Sequence, residues 1–281
     1  MMIDATKRIG FIGLGRMGRP MAKNILTAGF KLTVNDLNAE YASELIALGA
    51  EFTPSPRAVA QQSDIVALAV VDDTQVEQVL TGADGVFSGA QPGTIIAIHS
   101  TVLPQTVKRM AEIARAIGAH IIDAPVSGGE AGVRQRTLCY MVGGEVGVLE
   151  PCREMFATSA SEIIYMGELG NGAAAKLIVQ VVTCLNMLAA SEAELLAEKS
   201  GLDFVAVQRV LNKSSGQSFV VDSWLERFKL TEDPLAIRQR RTEVFQKSLL
   251  PALELARQLD LSLDGASLAV RLMPRIMGLE K

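Results

Sequence analysis

Along its first part the chain alternates between two textures. Short β-branched runs lie at 8–13, 31–36, 64–70, 94–98 and 120–123, and amphipathic segments such as 17–28, 38–48 and 104–117 lie between them. The runs are apolar almost throughout rather than at every second position. That predicts strands buried on both faces and, with helices between them, a parallel sheet covered on each side. Pro104 at a helix start and Gly29, Gly49 and Gly118 just past helix ends are the expected punctuation. Two more strand-like runs follow at 138–142 and 163–166. After Gly172 the texture changes. Helix formers dominate 173–200, Gly201 stops that run, and helical periods recur around 204–211, 220–228, 242–259 and 265–277. The expected fold class is α/β: a doubly wound parallel sheet in residues 1–166, then an all-α domain in 167–281, joined through a long helix.

Within the first texture, Gly13-Leu14-Gly15-Arg16-Met17-Gly18 follows the first strand directly and opens a helix. The first glycine permits a tight turn, the second lets a pyrophosphate approach the backbone, and the third allows close helix–strand packing. Asp36 closes the second strand, where a carboxylate accepts from the ribose hydroxyls of NAD and repels a 2′-phosphate. The first domain is therefore read as a Rossmann-type dinucleotide-binding domain that prefers NAD over NADP, although Arg16 or Lys31 could still assist a phosphate. Further on, Lys176, Gln180 and Thr183 fall at i, i+4 and i+7 among apolar neighbours, so they share one helix face. Such a stripe fits either an ordinary wet groove or a ligand site, where a desolvated lysine can give and take a proton near neutral pH.

Composition narrows the classes. Of 281 residues, 49% are apolar and 21% charged, which is ample for a core and argues against disorder. The net charge of −4 gives no general pull toward nucleic acid. The three cysteines, Cys139, Cys152 and Cys184, are odd in number and unpatterned, which suits a reducing compartment. The two histidines, His99 and His120, form no ligand cluster, so no metal is expected. The first apolar run is broken by glycines and leads into motif residues, unlike a signal peptide. The longest apolar stretch, 177–190, contains Gln180, Thr183 and Asn186 and reads as too short and too polar to span a bilayer. A soluble cytoplasmic protein is expected, with no membrane partner. A mean hydropathy of +0.26 suggests apolar surface buried between subunits of a homodimer or homotetramer.

The motifs together resemble the β-hydroxyacid dehydrogenase family, which includes 3-hydroxyisobutyrate dehydrogenases, tartronate semialdehyde reductases and glyoxylate/succinic semialdehyde reductases. The resemblance runs from end to end. The glycine motif with Pro20-Met21-Ala22-Lys23-Asn24 is similar to the family's cofactor fingerprint, and Asp123-Ala124-Pro125-Val126-Ser127-Gly128-Gly129 to its substrate signature. Gly170-Asn171-Gly172 with Lys176 is similar to its catalytic signature, and Lys247 falls where the family has a lysine near the nicotinamide. The resemblance implies an oxidoreductase that passes a hydride between NAD(H) and a small 3-hydroxy acid or semialdehyde, with Lys176 as general acid/base. It implies that Ser127, Gly128 and Gly129 hold the substrate carboxylate, that Gln180 and Lys247 reach the substrate, and that Lys247 closes over the cofactor. It also places Val70, Val71 and Asp72 on the adenine side and Ser100 and Thr101 by the nicotinamide ribose.

Some positions depart from the family. Gln180 stands for an expected Asn, Ser248 for an Asp, and Arg136 for a Gly at the end of a loop expected over 130–136. Arg238, Arg240 and Arg241 add cations, which fit either a more anionic substrate or plain surface charge. Two alternatives stand beside the dehydrogenase reading. One is an imine reductase-like relative, a group that usually lacks the lysine. The other is a non-catalytic dinucleotide-binding homologue.

Overall fold

The computed structural model describes residues 6–228 and 233–280. The chain divides into two compact units, Met1–Lys176 and Leu177–Lys281. The order in the first unit is β1 (Arg8–Ile12), α1 (Gly18–Thr27), β2 (Lys31–Asn35), α2 (Ser43–Ala47), β3 (Glu51–Phe52), α3 (Pro56–Gln61), β4 (Ile65–Leu68), α4 (Asp73–Thr81), β5 (Ile95–Ile98) and α5 (Pro104–Ala116). It continues through β6 (His120–Asp123), β7 (Val126–Ser127), α6 (Gly129–Gln135), β8 (Leu138–Gly143), α7 (Val146–Leu149), α8 (Arg153–Ala157) and β9 (Ala160–Gly167) into the long helix α9 (Asn171–Lys199).

The sheet runs β3-β2-β1-β4-β5-β6-β8-β7, with β9 paired to β8. From β3 to β6 every pairing is parallel. β8 departs from the parallel expectation and runs antiparallel to both β6 and β7. Successive residues of one strand enter opposite cores. Ile65 and Ala67 of β4 and Ile95 and Ala97 of β5 pack on one face, with Met21 and Ile25 of α1 and Phe156 of α8. Val66, Leu68, Ile96 and Ile98 pack on the other, with Val76 of α4 and Val107 and Met110 of α5. This period-two division, with both sides apolar, is what makes the strands read as unbroken hydrophobic runs.

The second unit holds the rest of α9, then α10 (Phe204–Leu211), α11 (Phe219–Asp222), α12 (Leu235–Gln258) and α13 (Asp264–Ile276), with a π-helical turn at Trp224–Phe228. Cys184, Met187 and Leu188 of α9 meet Trp224, Leu249 and Met273 in its core. α12 begins earlier than the period at 242 indicated. The stretch 177–190 is also longer in effect than it read: it lies inside a helix of 29 residues that, by length and composition alone, is apolar enough to cross a membrane. Alanine-rich flanks extend the helix at both ends, which a search for continuous apolar residues passes over.

His99, just past β5, is buried among Phe11, Tyr140 and Phe156. Its Nδ1 lies 2.8 Å from the Ala124 carbonyl oxygen and donates to it. Burial lowers its pKa to about 4, against 6.5 when exposed. The folded ring stays neutral while the unfolded ring protonates. Its contribution to stability is therefore complete above pH 6.5 and is lost as pH falls from 6.5 toward 4. Urea unfolding at pH 7.5 and pH 5 should show the wild type losing about 1–2 kcal/mol more than His99→Phe. Equal losses would remove this ring from the acid response.

Candidate active site

β1 leads into Gly13, where the backbone takes φ +92. Side chains avoid that conformation, and a Cβ there would run into the Ala69 carbonyl. A Cβ on Gly18 would strike the carbonyl oxygen of Gly13, so this third glycine lets α1 lie against the turn. At Gly15 a Cβ would meet nothing within 4 Å, leaving an open side from which a pyrophosphate can reach backbone N–H groups. Leu14 N–H donates to Asp36 Oδ2 at 2.6 Å and Asn38 N–H donates to Oδ1 at 2.8 Å, which pins the carboxylate just beyond β2. A cavity of about 720 Å³ opens beside them, with Gly13, Gly15, Asp36, Leu37, Val70 and Val71 in its lining. An open glycine turn, a fixed acceptor and apolar walls fit the phosphate, ribose and adenine of a dinucleotide. Among the described residues no group of three His, Cys, Asp or Glu could hold a metal ion.

Two other residues assigned to the cofactor, Asp72 and Ser100, hold backbone in place. Asp72 caps α4, accepting from Gln75 N–H at 3.0 Å. The buried Ser100 hydroxyl accepts from Val70 N–H at 2.9 Å, tying the end of β4 to the end of β5. Met17 packs half-buried on the core, and Thr101 is half-buried after β5. Exposed Arg16 pairs with Glu130 at 3.5 Å, and Arg134 pairs with the same carboxylate. Lys31 opens β2. At about 3.3 Å per residue it stands roughly 16 Å from Asp36. Leu37, next to Asp36, is exposed and apolar.

The substrate signature runs from the end of β6 through β7 to the start of α6. Ser127 closes β7, and a Cβ on Gly129 would face open space. The segment expected as a loop over 130–136 is instead mostly helix α6, and Arg136 caps it in the left-handed region at φ 57. A helix of seven residues with two glycines carries too little period to show in the sequence. Ser127 is the register partner of Cys139 in β8. Burial and Glu162 push the Cys139 thiol up in pKa, while the Lys176 ammonium pulls it down. Lys176 itself, in the second turn of α9, is 9% exposed.

In the second unit Gln180 and Thr183 are half-buried on α9, and Lys247 is exposed on α12. Ser248 turns its hydroxyl to the Phe245 carbonyl of its own helix at 2.8 Å. Arg238 donates to the backbone carbonyls of Asp233 and Gly278, and Arg241 to that of Arg227. Two of the three added arginines are thus occupied in tying backbone together. Sequence reasoning passed over Tyr41 and Gln75, which line the cavity, and gave Asp123 no role although it is buried among backbone donors. Only Asp123 carried a signal, a carboxylate ending an apolar strand.

Two family models match the chain. The NAD binding domain of 6-phosphogluconate dehydrogenase matches residues 8–167, and the NAD-binding region of NADP-dependent 3-hydroxyisobutyrate dehydrogenase matches 170–278. The chain is 38% identical over 261 residues to 2-hydroxy-3-oxopropionate reductase of Escherichia coli, covering 92% of this chain and 88% of that protein. It is similar to the structure of a 3-hydroxyisobutyrate dehydrogenase from Mycobacterium tuberculosis with L-serine, at TM-score 0.83 and 26% identity, over 97% of this chain and 94% of that one. An imine reductase from Pseudomonas shares the fold alone, at TM-score 0.68 and 18% identity, over 97% of this chain and 94% of that one.

The left-handed conformation of Arg136 carries a steric cost that glycine does not. Arg136→Gly should therefore raise the unfolding free energy by about 0.5–1 kcal/mol, read as a higher midpoint in urea. A lower midpoint would mean that the arginine side chain contributes more than its backbone costs.

Proposed function

The chain belongs to the β-hydroxyacid dehydrogenase family, and on that premise we propose that it moves a hydride between NAD(H) and a small 3-hydroxy acid or its semialdehyde. The observation that carries the reading is a lysine only 9% exposed, in the compact unit that also carries the glycine cradle. Bound at the cradle, the nicotinamide supplies the hydride chemistry. The chain's residues do the rest. The backbone over 13–18 and Asp36 hold pyrophosphate and ribose, Val70, Val71 and Asp72 shape the adenine side, and Ser100 and Thr101 shape the nicotinamide ribose side. Ser127, Gly128 and Gly129 grip the substrate carboxylate through a hydroxyl and backbone N–H groups. Lys176 Nζ gives a proton to the carbonyl oxygen on reduction and takes it from the hydroxyl on oxidation. The role of Lys247 rests on the motif match, and that of Gln180 on its place one turn beyond Lys176 on the same face of α9.

NAD is the preferred cofactor in this reading. Asp36 is fixed as an acceptor, Leu37 offers no cation, Arg16 is paired with Glu130, and Lys31 lies at the far end of β2. We also propose a homodimer or homotetramer in the cytoplasm, without membrane or nucleic-acid partners. Ile178, Val182 and Leu196 of α9 and Val205 and Val210 of α10 are exposed in the single chain, which supports association. The buried lysine argues against imine reduction and against a decayed site.

Lys176→Ala should lower kcat by about 10²–10⁴-fold while NADH still binds. Retained turnover would remove the acid/base role. Asp36→Ala should cut the NADH-over-NADPH preference by about tenfold or more, and an unchanged ratio would refute that selector. Glyoxylate, small semialdehydes and 3-hydroxy acids assayed with both cofactors test the reading as a whole. Cofactor binding without any turnover across that panel would leave a binding protein.

A further inference from the structure

Asp123 ends β6 and is 1% exposed. Its Oδ1 accepts from Gly170 N–H at 2.8 Å, and its Oδ2 accepts from Ala173 N–H at 2.7 Å. Gly170 lies just before α9, and Ala173 lies in its first turn, three residues ahead of Lys176. Both oxygens are thus taken by backbone donors that a helix start leaves without partners. Burial pushes the Asp123 carboxyl up in pKa, and the N–H groups of Gly170, Ala173, Asp123 and Gly172 work against that.

Two glycines make room for this carboxylate. A Cβ on Gly143, the register partner of Asp123 in β8, would stand 2.6 Å from Oδ1. A Cβ on Gly172 would stand 2.9 Å from Oδ2 and press on the Met141 carbonyl. Strand end, neighbouring strand and helix start therefore converge on one side chain. Downstream of Asp123 the same chain reaches Ser127, the start of the proposed carboxylate grip. A lysine side chain has enough rotatable bonds to miss its target unless its own backbone is held, and catalytic groups need placement to within about 0.5 Å.

We propose that Asp123 is a positioning residue: by clamping the first turn of α9 to the end of β6, it sets the Lys176 amine relative to the 127–129 turn. This rests on the reading of Lys176 as general acid/base, and the test separates the two. Asp123→Asn keeps the shape and one acceptor but turns an amide N–H toward a backbone N–H. The wild type, Lys176→Ala, Asp123→Asn and the double variant form a cycle, with kcat and KM measured on a panel substrate and NADH affinity by fluorescence. Asp123→Asn should lose about 10²-fold in kcat, with NADH affinity kept. The double variant should then be no slower than Lys176→Ala, to within about twofold.

Losses that multiply, or an unchanged kcat in Asp123→Asn, would overturn the proposal. Full activity in Lys176→Ala would instead strike the acid/base reading, and the proposal would fall with it. A crystal structure of the variant should show Nζ displaced by more than about 0.5 Å. An unmoved amine overturns the proposal, and this readout decides alone if no panel substrate is turned over. Should Asp123→Asn not fold, Asp123→Ser enters the same cycle. Loss of the fold in both variants would assign the carboxylate to the fold as a whole and overturn the positioning role.

Discussion

Strands β4 and β5 send alternate side chains into two apolar clusters, and β1 and β6 lie between covered faces in the same way. A strand buried on both sides has no face on which to place a polar group without a partner. Polar chemistry is therefore driven to the strand ends. The glycine turn follows β1, Asp36 follows β2, Ser100 follows β5 and Asp123 closes β6. In a parallel stretch these ends all lie along one edge, so the burial that stabilises the sheet also gathers the candidate site.

Along that edge, most polar side chains serve backbone before they can serve a ligand. Asp36 accepts from Leu14 and Asn38, Ser100 accepts from Val70, Asp72 caps α4 and Asp123 receives the start of α9. Such bonds fix loops that would otherwise sample many conformations, and a fixed loop presents its N–H groups at constant places. Placing Lys176 on a helix held in this way, rather than on a free loop, follows the same logic.

The departures from the family pattern divide along physical lines. Arg136 sits where a backbone in the left-handed region favours glycine, so its effect falls first on stability. Arg238 and Arg241 bond carbonyls, and Ser248 bonds its own helix. None of these changes alters the glycine cradle, Asp36 or Lys176.

By itself the sequence determined the period of burial, and with it the strands, the helical second part and the fold class, because a doubly buried strand and an amphipathic helix leave different marks on a one-dimensional string. It also marked the glycine turn, Asp36 and Lys176 as candidates, since those needs are local or carried by a motif of fixed spacing. Short elements such as β3, β7, α3 and α6 left too few residues to show a period. The antiparallel run of β8, the left-handed turn at Arg136 and the convergence of Asp123, Gly143 and Gly172 were decided only in three dimensions. Each depends on which distant backbone a residue meets, and contacts between residues far apart in the chain leave no spacing to read.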